Sequence, residues 1–314
     1  MSADGNGIRA SVDELIRLRL RARSIHLESL RRATSSPAGL QFSKFRGRGI
    51  DYEESRNYQP GDDIRAMDWR VTARTGRPHT KVFQEERERP VIVMVDFSPS
   101  MFFGTQVAFK SVIAVRAATV ISWAAVLAGD RIGAFLFSHR LHHEVQPAGG
   151  RRGVLRVIRD FADWANPDKY ANVIEQGSLG SALHRLQRVA RPGSLVFIFS
   201  DFFSLDDDSE RHLTRLRQHN DVIACQIWDT LELNPPPPGR YGISDGNHIG
   251  ILDTGSAALR QRYEQYFLDH HMKVRDLLRR RAITLLRLAT YEDVVDGLKR
   301  GLGGARAARP KAML

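Results

Sequence analysis

Residues 91–101 read VIVMVDFSPSM, an apolar run that ends in polar residues. Five consecutive apolar residues, three of them valine, are typical of a strand that is buried on both faces, as in a parallel sheet. Asp96, Ser98 and Ser100 follow at alternate positions, at the strand end where open α/β sheets bind ligands. One carboxylate and two hydroxyls suit Mg²⁺, with Mn²⁺ or Ca²⁺ as alternatives, so we expect a cation site. Capping of the next helix by Asp96 and Ser98 is the purely structural alternative.

A second apolar run supplies a matching aspartate. Residues 194–201 read SLVFIFSD, again a buried-strand pattern, and end at Asp201. If the two strands are neighbours, Asp96 and Asp201 face each other across one crevice. This combination resembles the von Willebrand factor A-type domain, whose metal-ion-dependent adhesion site uses Asp-x-Ser-x-Ser, a threonine on a second loop and an aspartate on a third. The resemblance implies a metal site that contains Asp96, Ser98, Ser100 and Asp201.

The second loop of that pattern differs in this chain. The family usually has Gly-Thr-Asp-Leu before a helix, whereas residues 176–179 read QGSL, so the threonine position falls on Gly177. Ser178 is the neighbouring hydroxyl and is a candidate metal ligand through a shifted loop. A serine directly before an apolar-periodic helix is more often an ordinary N-cap, so both interpretations stay open.

The composition predicts a chain with a sizeable core and no membrane span. Its 314 residues are 42% hydrophobic, and no apolar run approaches the roughly 20 residues that a membrane helix needs. The first seven residues, MSADGNG, lack the apolar core of a signal peptide. Cys225 is the only cysteine, which excludes a disulfide framework and a cysteine-based metal site. We therefore expect a cytoplasmic protein.

The net charge of +11 is concentrated at the two ends of the chain. Residues 1–50 carry +6 and residues 257–314 carry +7, which leaves −2 for the middle. A basic chain suggests nucleic-acid binding, but these residues lie on predicted helices and a tail, without a nucleic-acid motif. Solvated helix faces account for most of them. We expect an acidic protein partner rather than a nucleic acid.

Strands and helices alternate from residue 91 onward, which predicts an α/β fold with a doubly wound, mostly parallel sheet of Rossmann type. Ser11 and Glu14 form a capping box that opens an N-terminal helix to about Arg32. The predicted divisions are residues 1–88 for this helix and a charged segment, 89–300 for the sheet domain with an insertion over 230–255, and 301–314 for a flexible tail.

Residues 56–74 form a dense polar block, RNYQPGDDIRAMDWRVTAR, whose spacing fits no catalytic template. The block closely resembles the signature of the bacterial domain of unknown function 58 family, Arg-x-Tyr-x-Pro-Gly-Asp-Asp-x-Arg-x-x-Asp-Trp with a following Ala-Arg. The resemblance extends into the sheet domain and covers nearly the whole chain. The matching signature residues are Arg56, Tyr58, Pro60, Gly61, Asp62, Asp63, Arg65, Asp68, Trp69, Ala73 and Arg74.

The family resemblance implies a partner, a MoxR-type AAA+ ATPase, and a role beside chaperones that insert cofactors or mature complexes. Some members are anchored in membranes, and this chain resembles the short form without spans. From the residues alone, alternating aspartates and arginines predict a structural clamp with the Trp69 ring buried as its anchor. A docking surface for the ATPase is the second interpretation of the same block, and the two are compatible.

Three functions are compatible with these residues. The leading expectation is a non-enzymatic adaptor that binds an Asp or Glu of the ATPase, or of an unknown client, through a cation at Asp96. A Mg-dependent phosphohydrolase is the second, although Ser98 stands where aspartyl phosphotransferases carry another aspartate and no general base is evident. A scaffold with an unoccupied metal site is the third, because the loop at Gly177 differs from the family pattern.

Overall fold

The computed structural model describes residues 7–27, 50–59, 64–85, 88–138, 141–170, 178–244 and 249–307. The chain divides into two compact units. Residues 1–35 and 89–314 form the first, called the sheet unit, and residues 36–88 form the second, called the signature unit.

The regular elements of the described residues are as follows. The strands are β1 Ile50–Asn57, β2 His79–Glu85, β3 Pro90–Asp96, β4 Arg131–Phe137, β5 His142–Ala148, β6 Leu195–Ser200, β7 Asp221–Trp228, β8 Arg240–Ser244, β9 Ile249–Asp253 and β10 Thr284–Ala289. The helices are α1 Val12–Arg17, α2 Arg19–Ala22, α3 Trp69–Thr75, α4 Lys110–Leu127, α5 Gly150–Trp164, α6 Leu179–Val189, α7 Asp207–His219, α8 Thr230–Leu233, α9 Ala257–Arg280 and α10 Val294–Ala307. Short 3₁₀ turns are Ile64–Ala66, Pro99–Met101 and Pro167–Tyr170.

The sheet unit is built on a six-stranded sheet with the strand order β10-β7-β6-β3-β4-β5. All neighbouring strands are parallel except β4 and β5, which are antiparallel. The predicted α/β class with a mostly parallel sheet is therefore confirmed. The antiparallel edge strand β5 was not predicted, because its sequence HHEVQPA alternates poorly and contains a proline.

Strand β3 illustrates how the sheet is buried on both faces. Val91, Val93 and Val95 belong to one apolar layer, whereas Ile92 and Met94 belong to the other. Alternate residues of a strand point to opposite faces, so a run without polar residues requires cover on both sides. Helices α4, α5 and α10 contribute to the first layer, and helices α6, α7 and α9 contribute to the second.

Helix α4 is apolar on nearly all sides. Among the described residues, it alone is long and apolar enough to cross a membrane by length and composition. In this structure 83% of its residues are buried inside the protein. A core helix that is covered all round meets the same criteria, so the finding is weak evidence for a span.

The N-terminal helices belong to the sheet unit. Ser11 Oγ caps α1 by accepting a hydrogen bond from the Glu14 backbone N–H at 3.2 Å, which is one of the two bonds of the predicted capping box, whereas the Glu14 carboxylate binds Arg116. Leu15 and Ala22 are fully buried in the apolar layer that also contains α4. The observed division thus differs from the predicted grouping of residues 1–88, because these apolar side chains are covered by the sheet unit.

Both terminal helices end at residues other than those predicted. The N-terminal helix ends with α2 at Ala22, whereas the predicted end at about Arg32 lies outside the described residues. Helix α10 continues to Ala307, through residues that were predicted to form a flexible tail. A Cβ added to Gly297 or Gly301 would lie 2.5 or 2.8 Å from side chains of β10. These glycines therefore let α10 pack closely on the sheet instead of loosening the chain.

The predicted insertion contains a small two-stranded sheet. Strands β8 and β9 pair antiparallel, and residues 245–248 lie outside the described residues. Ile249 and Ile251 on β9 are 88% and 64% exposed.

In the described part of the signature unit, helix α3 lies in the chain between the antiparallel strands β1 and β2. Asp68 is the N-cap of α3, and its Oδ1 accepts hydrogen bonds from the backbone N–H groups of Arg70 and Val71 at 3.1 Å. Its Oδ2 accepts a hydrogen bond from Ser55 Oγ at 2.6 Å, which connects α3 to β1. Gly76 ends the helix with a φ of 69°, a left-handed conformation that glycine adopts without strain.

Candidate functional site

The direction of strand addition reverses between β3 and β6. Strands β4 and β5 lie on one side of β3, and strands β6, β7 and β10 lie on the other. The carboxyl ends of strands at such a switch point flank the crevice where open α/β sheets bind ligands. Asp96 ends β3 and Asp201 follows β6. The parallel pairing of these strands confirms that they are neighbours.

Asp96 is a buried carboxylate, only 1% exposed. Its Oδ1 accepts hydrogen bonds from the Ser98 backbone N–H at 2.8 Å and from Ser98 Oγ at 2.5 Å. Its Oδ2 accepts one from Ser200 Oγ at 2.6 Å. Burial, and then the negative charge of Asp201, raises the pKa of Asp96 to about 6, although the hydrogen bonds oppose this shift. Among the described residues, its hydrogen-bond donors include no lysine or arginine.

Asp201 is paired with a lysine. Lys110 Nζ lies 2.8 Å from Asp201 Oδ2 and 2.5 Å from Glu232 Oε1, and the three side chains are 5% exposed or less. The carboxylate of Asp201 also accepts a hydrogen bond from the Phe203 backbone N–H at 3.1 Å, and the Ser100 hydroxyl helps to lower the pKa of this carboxyl. Burial raises the pKa of Asp201, but the charge of Lys110 outweighs burial and holds this pKa below its usual value.

Lys110 is the functional-site residue that the sequence analysis missed. Among the residues whose burial is described, it is the only lysine or arginine that is buried. Burial lowers its pKa, yet the attraction of Asp201 and Glu232 outweighs burial and raises the pKa above its usual value. The sequence contained one signal of this role, namely the position of Lys110 as the first residue of an apolar helix. The helix dipole disfavours a cation there, and a buried lysine requires acidic partners.

Asp229 holds Glu232 in place in the cluster that Lys110, Asp201 and Glu232 form. Its carboxylate accepts hydrogen bonds from the Thr105 backbone N–H at 3.0 Å, from Thr105 Oγ1 at 2.6 Å and from Thr290 Oγ1 at 2.5 Å. It also caps α8 in a capping box in which Glu232 Oε2 accepts a hydrogen bond from the Asp229 backbone N–H at 3.0 Å. Glu232 is therefore held by one oxygen and binds Lys110 with the other.

Ser178 lies elsewhere in the hydrogen-bond network. Its Oγ accepts a hydrogen bond from the Gly180 backbone N–H at 3.0 Å, which caps α6, and donates one to Asp206 Oδ2 at 3.0 Å. Neither bond involves Asp96 or Asp201. Ser178 thus has the capping role that the sequence analysis weighed against ligation, and we remove it from the ligand set.

The divalent cation that the von Willebrand A resemblance implies fits part of this donor set. Asp96 is buried and accepts hydrogen bonds from no cationic side chain in the described part of the chain, and the hydroxyls of Ser98 and Ser100 are only half-buried. Mg²⁺ accepts one or two carboxylates and keeps several waters, so these three side chains are of the right kind. Asp201 binds Lys110 instead. Within the described part of the chain, no three His, Cys, Asp or Glu side chains form a metal-binding group, so a cation would depend on the serine hydroxyls.

The signature residues are only partly described. Tyr58 donates its backbone N–H to the Pro78 carbonyl at 2.9 Å, and a guanidinium nitrogen of Arg56 donates to the Asn57 carbonyl at 3.2 Å. Arg65 and Arg74 are exposed. The signature residues that lie outside the described part of the chain are Pro60, Gly61, Asp62 and Asp63.

The Trp69 side chain is 66% exposed, so the prediction that its ring is buried as an anchor is wrong. Trp69 is the first residue of α3, and the residue before it turns inward instead. Asp68 is only 7% exposed and bonds both to the helix N-terminus and to Ser55. The hydrogen bonds of Asp68, rather than burial of the Trp69 ring, hold α3 on β1.

Two comparisons of sequence agree with each other. The sequence profile described as "Protein of unknown function DUF58" matches residues 54–273. Uncharacterized proteins of Mycobacterium bovis and Mycobacterium tuberculosis are 31% identical over 262 residues, which cover 83% of this chain and 81% of each relative.

Two solved structures resemble the chain more distantly. The conserved hypothetical protein BatB from Bacteroides thetaiotaomicron is 13% identical, with a TM-score of 0.42 over 70% of this chain and 100% of that chain. A von Willebrand factor type A protein from Catenulispora acidiphila is 11% identical, with a TM-score of 0.35 over 73% of this chain and 43% of that chain. Both TM-scores lie below 0.5, so neither likeness bears on the function of this chain.

Proposed function

We propose that this chain, which belongs to the DUF58 family of proteins of unknown function, is a non-enzymatic adaptor that binds a partner protein at its sheet-edge crevice. One observation carries the proposal. Asp96, Ser98, Ser100 and Asp201 lie together at the carboxyl edge of the sheet, where strand order reverses. The finer assignment to a doubly wound, von Willebrand A-like fold is part of the same proposal.

The two serines lie beside buried carboxylates. Ser98 Oγ donates a hydrogen bond to Asp96 Oδ1 at 2.5 Å, and the Ser100 hydroxyl interacts with Asp201 and helps to lower the pKa of that carboxyl. A hydroxyl that gives its proton to a carboxylate keeps its oxygen lone pairs for an electron-pair acceptor. Ser98, Ser100 and Asp96 would therefore hold a divalent cation, which when bound supplies an open coordination position for a partner carboxylate. This favours a partner that presents an Asp or Glu side chain.

The exposed residues of α3 and of the 3₁₀ turn Ile64–Ala66 support a second contact with the partner. Trp69 and Ile64 are 66% and 63% exposed, and Arg70 and Arg74 are exposed as well. Tryptophan and arginine are the residue types that most often dominate the energetics of protein interfaces. The family resemblance suggests a MoxR-type AAA+ ATPase, with its client, as the partner. In this proposal the signature unit docks on the ATPase and the crevice takes its carboxylate.

We propose no catalytic activity for the crevice. Each oxygen of Asp96 and Asp201 accepts a hydrogen bond from within the chain and keeps further lone pairs, so these bonds do not distinguish a ligand from a general base. Ser98 stands where aspartyl phosphotransferases carry a second aspartate, and no observation favours the phosphohydrolase alternative.

The test is capture of a purified MoxR-type ATPase by the immobilised chain. We expect the double variant Ser98→Ala, Ser100→Ala to capture less ATPase, and we expect a chelator to weaken capture by the wild type. Ser256→Ala is the matched control, because Ser256 is exposed and makes no capping hydrogen bond with its side chain. If the folded double variant and the chelated wild type capture as much ATPase as the control, the crevice is not the binding site.

A further inference from the structure

The aspartate that follows β6 already has a cationic partner. Lys110 Nζ is 2.8 Å from Asp201 Oδ2, and the lysine side chain is 1% exposed. The second partner of the lysine, Glu232, is 4% exposed and is itself fixed by the Asp229 backbone N–H. Lys110 is thus held from two sides and cannot turn to solvent without leaving two buried carboxylates without a counter-charge.

Such an arrangement is costly to break. Removing one member of a buried ion pair leaves an uncompensated charge in a medium of low polarity. The carboxylate of Asp96, in contrast, accepts hydrogen bonds only from Ser98 and Ser200 among the described residues. The two aspartates of the crevice are therefore not equivalent: among the residues that the structure describes, Lys110 neutralises Asp201 and no lysine or arginine bonds to Asp96.

We propose that Lys110 acts as a built-in cation that keeps Asp201 from coordinating a metal, so that the crevice offers Asp96 as its one carboxylate ligand. The inference rests on the proposed function in placing a cation beside Asp96. The pairing of Lys110 with Asp201 would also make the site specific for a partner that supplies a carboxylate. A site with one carboxylate and two hydroxyls binds a divalent cation weakly, and a carboxylate of the partner replaces the missing ligand. Cation and partner then bind tightly only together.

The experiment is a calorimetric titration with Mg²⁺ alone. The double variant Lys110→Met, Glu232→Gln removes the lysine and one of its two carboxylates, which releases Asp201 with the smallest change in buried charge. We expect this variant to bind Mg²⁺ at least about tenfold more tightly than the wild type, because affinity rises with the charge of the ligands. Glu232→Gln alone keeps the Lys110–Asp201 pair and should bind like the wild type. Adding Asp201→Asn to the double variant should abolish the gain.

Circular dichroism checks the fold of each variant, because an unfolded chain can also bind metal ions. If Lys110→Met, Glu232→Gln does not fold, Lys110→Gln, Glu232→Gln takes its place, since two amides can still bond to each other. The double variant could gain affinity for Mg²⁺ while the wild type shows no measurable binding. That result would support the role of Lys110 and overturn metal binding by the native crevice. Equal or weaker binding by a folded double variant would overturn the role of Lys110, whatever the wild type binds. Capture of the ATPase is measured in a separate experiment, and its result tests the adaptor function.

Discussion

The sheet unit and the signature unit treat charged and aromatic side chains in opposite ways. In the sheet unit, Lys110, Asp201 and Glu232 are 5% exposed or less, and each bonds to another member of the cluster. In the signature unit, Trp69 and Ile64 are 66% and 63% exposed. The residue types that a sequence marks as functional are therefore structural in one unit and presented to solvent in the other.

This difference separates residues that hold the fold from residues that are available to a partner. Asp68 and Trp69 are neighbours in the signature, yet only the aspartate is buried and hydrogen-bonded within the unit. Ser98 combines both roles, because it bonds to the buried carboxylate of Asp96 and stays half-exposed. We expect substitution of the residues that hold the fold to cause large losses of stability. Substitution of the residues that are available to a partner should weaken binding alone.

The largest expected effect is on the stability of the sheet unit. Lys110→Met leaves Asp201 and Glu232 buried without a counter-charge, which should lower the free energy of unfolding by about 3–5 kcal/mol. Urea denaturation monitored by circular dichroism measures this loss. Lys299→Met, at an exposed position of α10, is the control and should change stability by less than about 0.5 kcal/mol. Equal stability of the two variants would mean that the ion cluster does not stabilise the fold.

A second effect on the sheet unit depends on pH. His271 is 8% exposed, and neither ring nitrogen has a hydrogen-bond partner within the described structure. Burial, followed by the charges of Arg287, His270 and Lys110, lowers its pKa from 6.5 to about 4. The unfolded chain therefore takes up this proton at higher pH than the folded chain does. The stability that neutral His271 contributes to the folded state is fully present above pH 6.5 and is lost as the pH falls towards 4.

The size of this pH effect follows from the shift. We expect up to about 3 kcal/mol of stability to depend on His271 over this window. Urea denaturation of the wild type and of His271→Phe, at a series of pH values, measures it. The variant should lose less stability on acidification than the wild type. Parallel curves for the two proteins would show that His271 takes up its proton equally in both states.

The sequence predicts the crevice better than it predicts the cluster behind it. Asp96, Ser98 and Asp201 follow from local patterns, since each comes at the end of an apolar run of strand length. Lys110 meets Asp201 and Glu232 only through the fold, because the three come from separate elements more than 20 residues apart in the chain. Its contacts are therefore invisible to a reading based on spacing.

Local patterns were also ambiguous in the second unit and at the C-terminus. An aromatic ring in an apolar-poor segment is as compatible with an anchor as with an exposed contact, and Trp69 is exposed. Gly297 and Gly301 belong to a segment rich in glycine, but they face β10 closely and the helix continues through them. In both cases the neighbouring surface, which the sequence does not reveal, decides the outcome.

A smaller effect is expected on binding by the signature unit. Trp69→Ala should leave the free energy of unfolding within about 0.5 kcal/mol of the wild type, because the ring is mostly exposed. It should weaken binding of the MoxR-type ATPase about tenfold or more, as expected for an interface tryptophan. Surface plasmon resonance with the immobilised ATPase measures the affinity of Trp69→Ala and of a control variant. Tyr291→Ala, an exposed aromatic position of the sheet unit, is the control. A destabilised Trp69→Ala variant with unchanged binding would restore the anchor interpretation.

In the function that we propose, Asp96 serves the binding of the partner rather than the stability of the fold. Asp96→Asn tests it directly, because the amide preserves the shape of the side chain and removes a buried charge whose pKa is raised to about 6. A carboxyl with a raised pKa destabilises the folded state once it is ionised, so at pH 7 the variant should be at least as stable as the wild type. Its affinity for the ATPase in the presence of Mg²⁺, measured by equilibrium titration beside the unfolding experiment, should fall about tenfold or more. Wild-type affinity in the variant, or a loss of stability that accounts for the loss of binding, would contradict the claim.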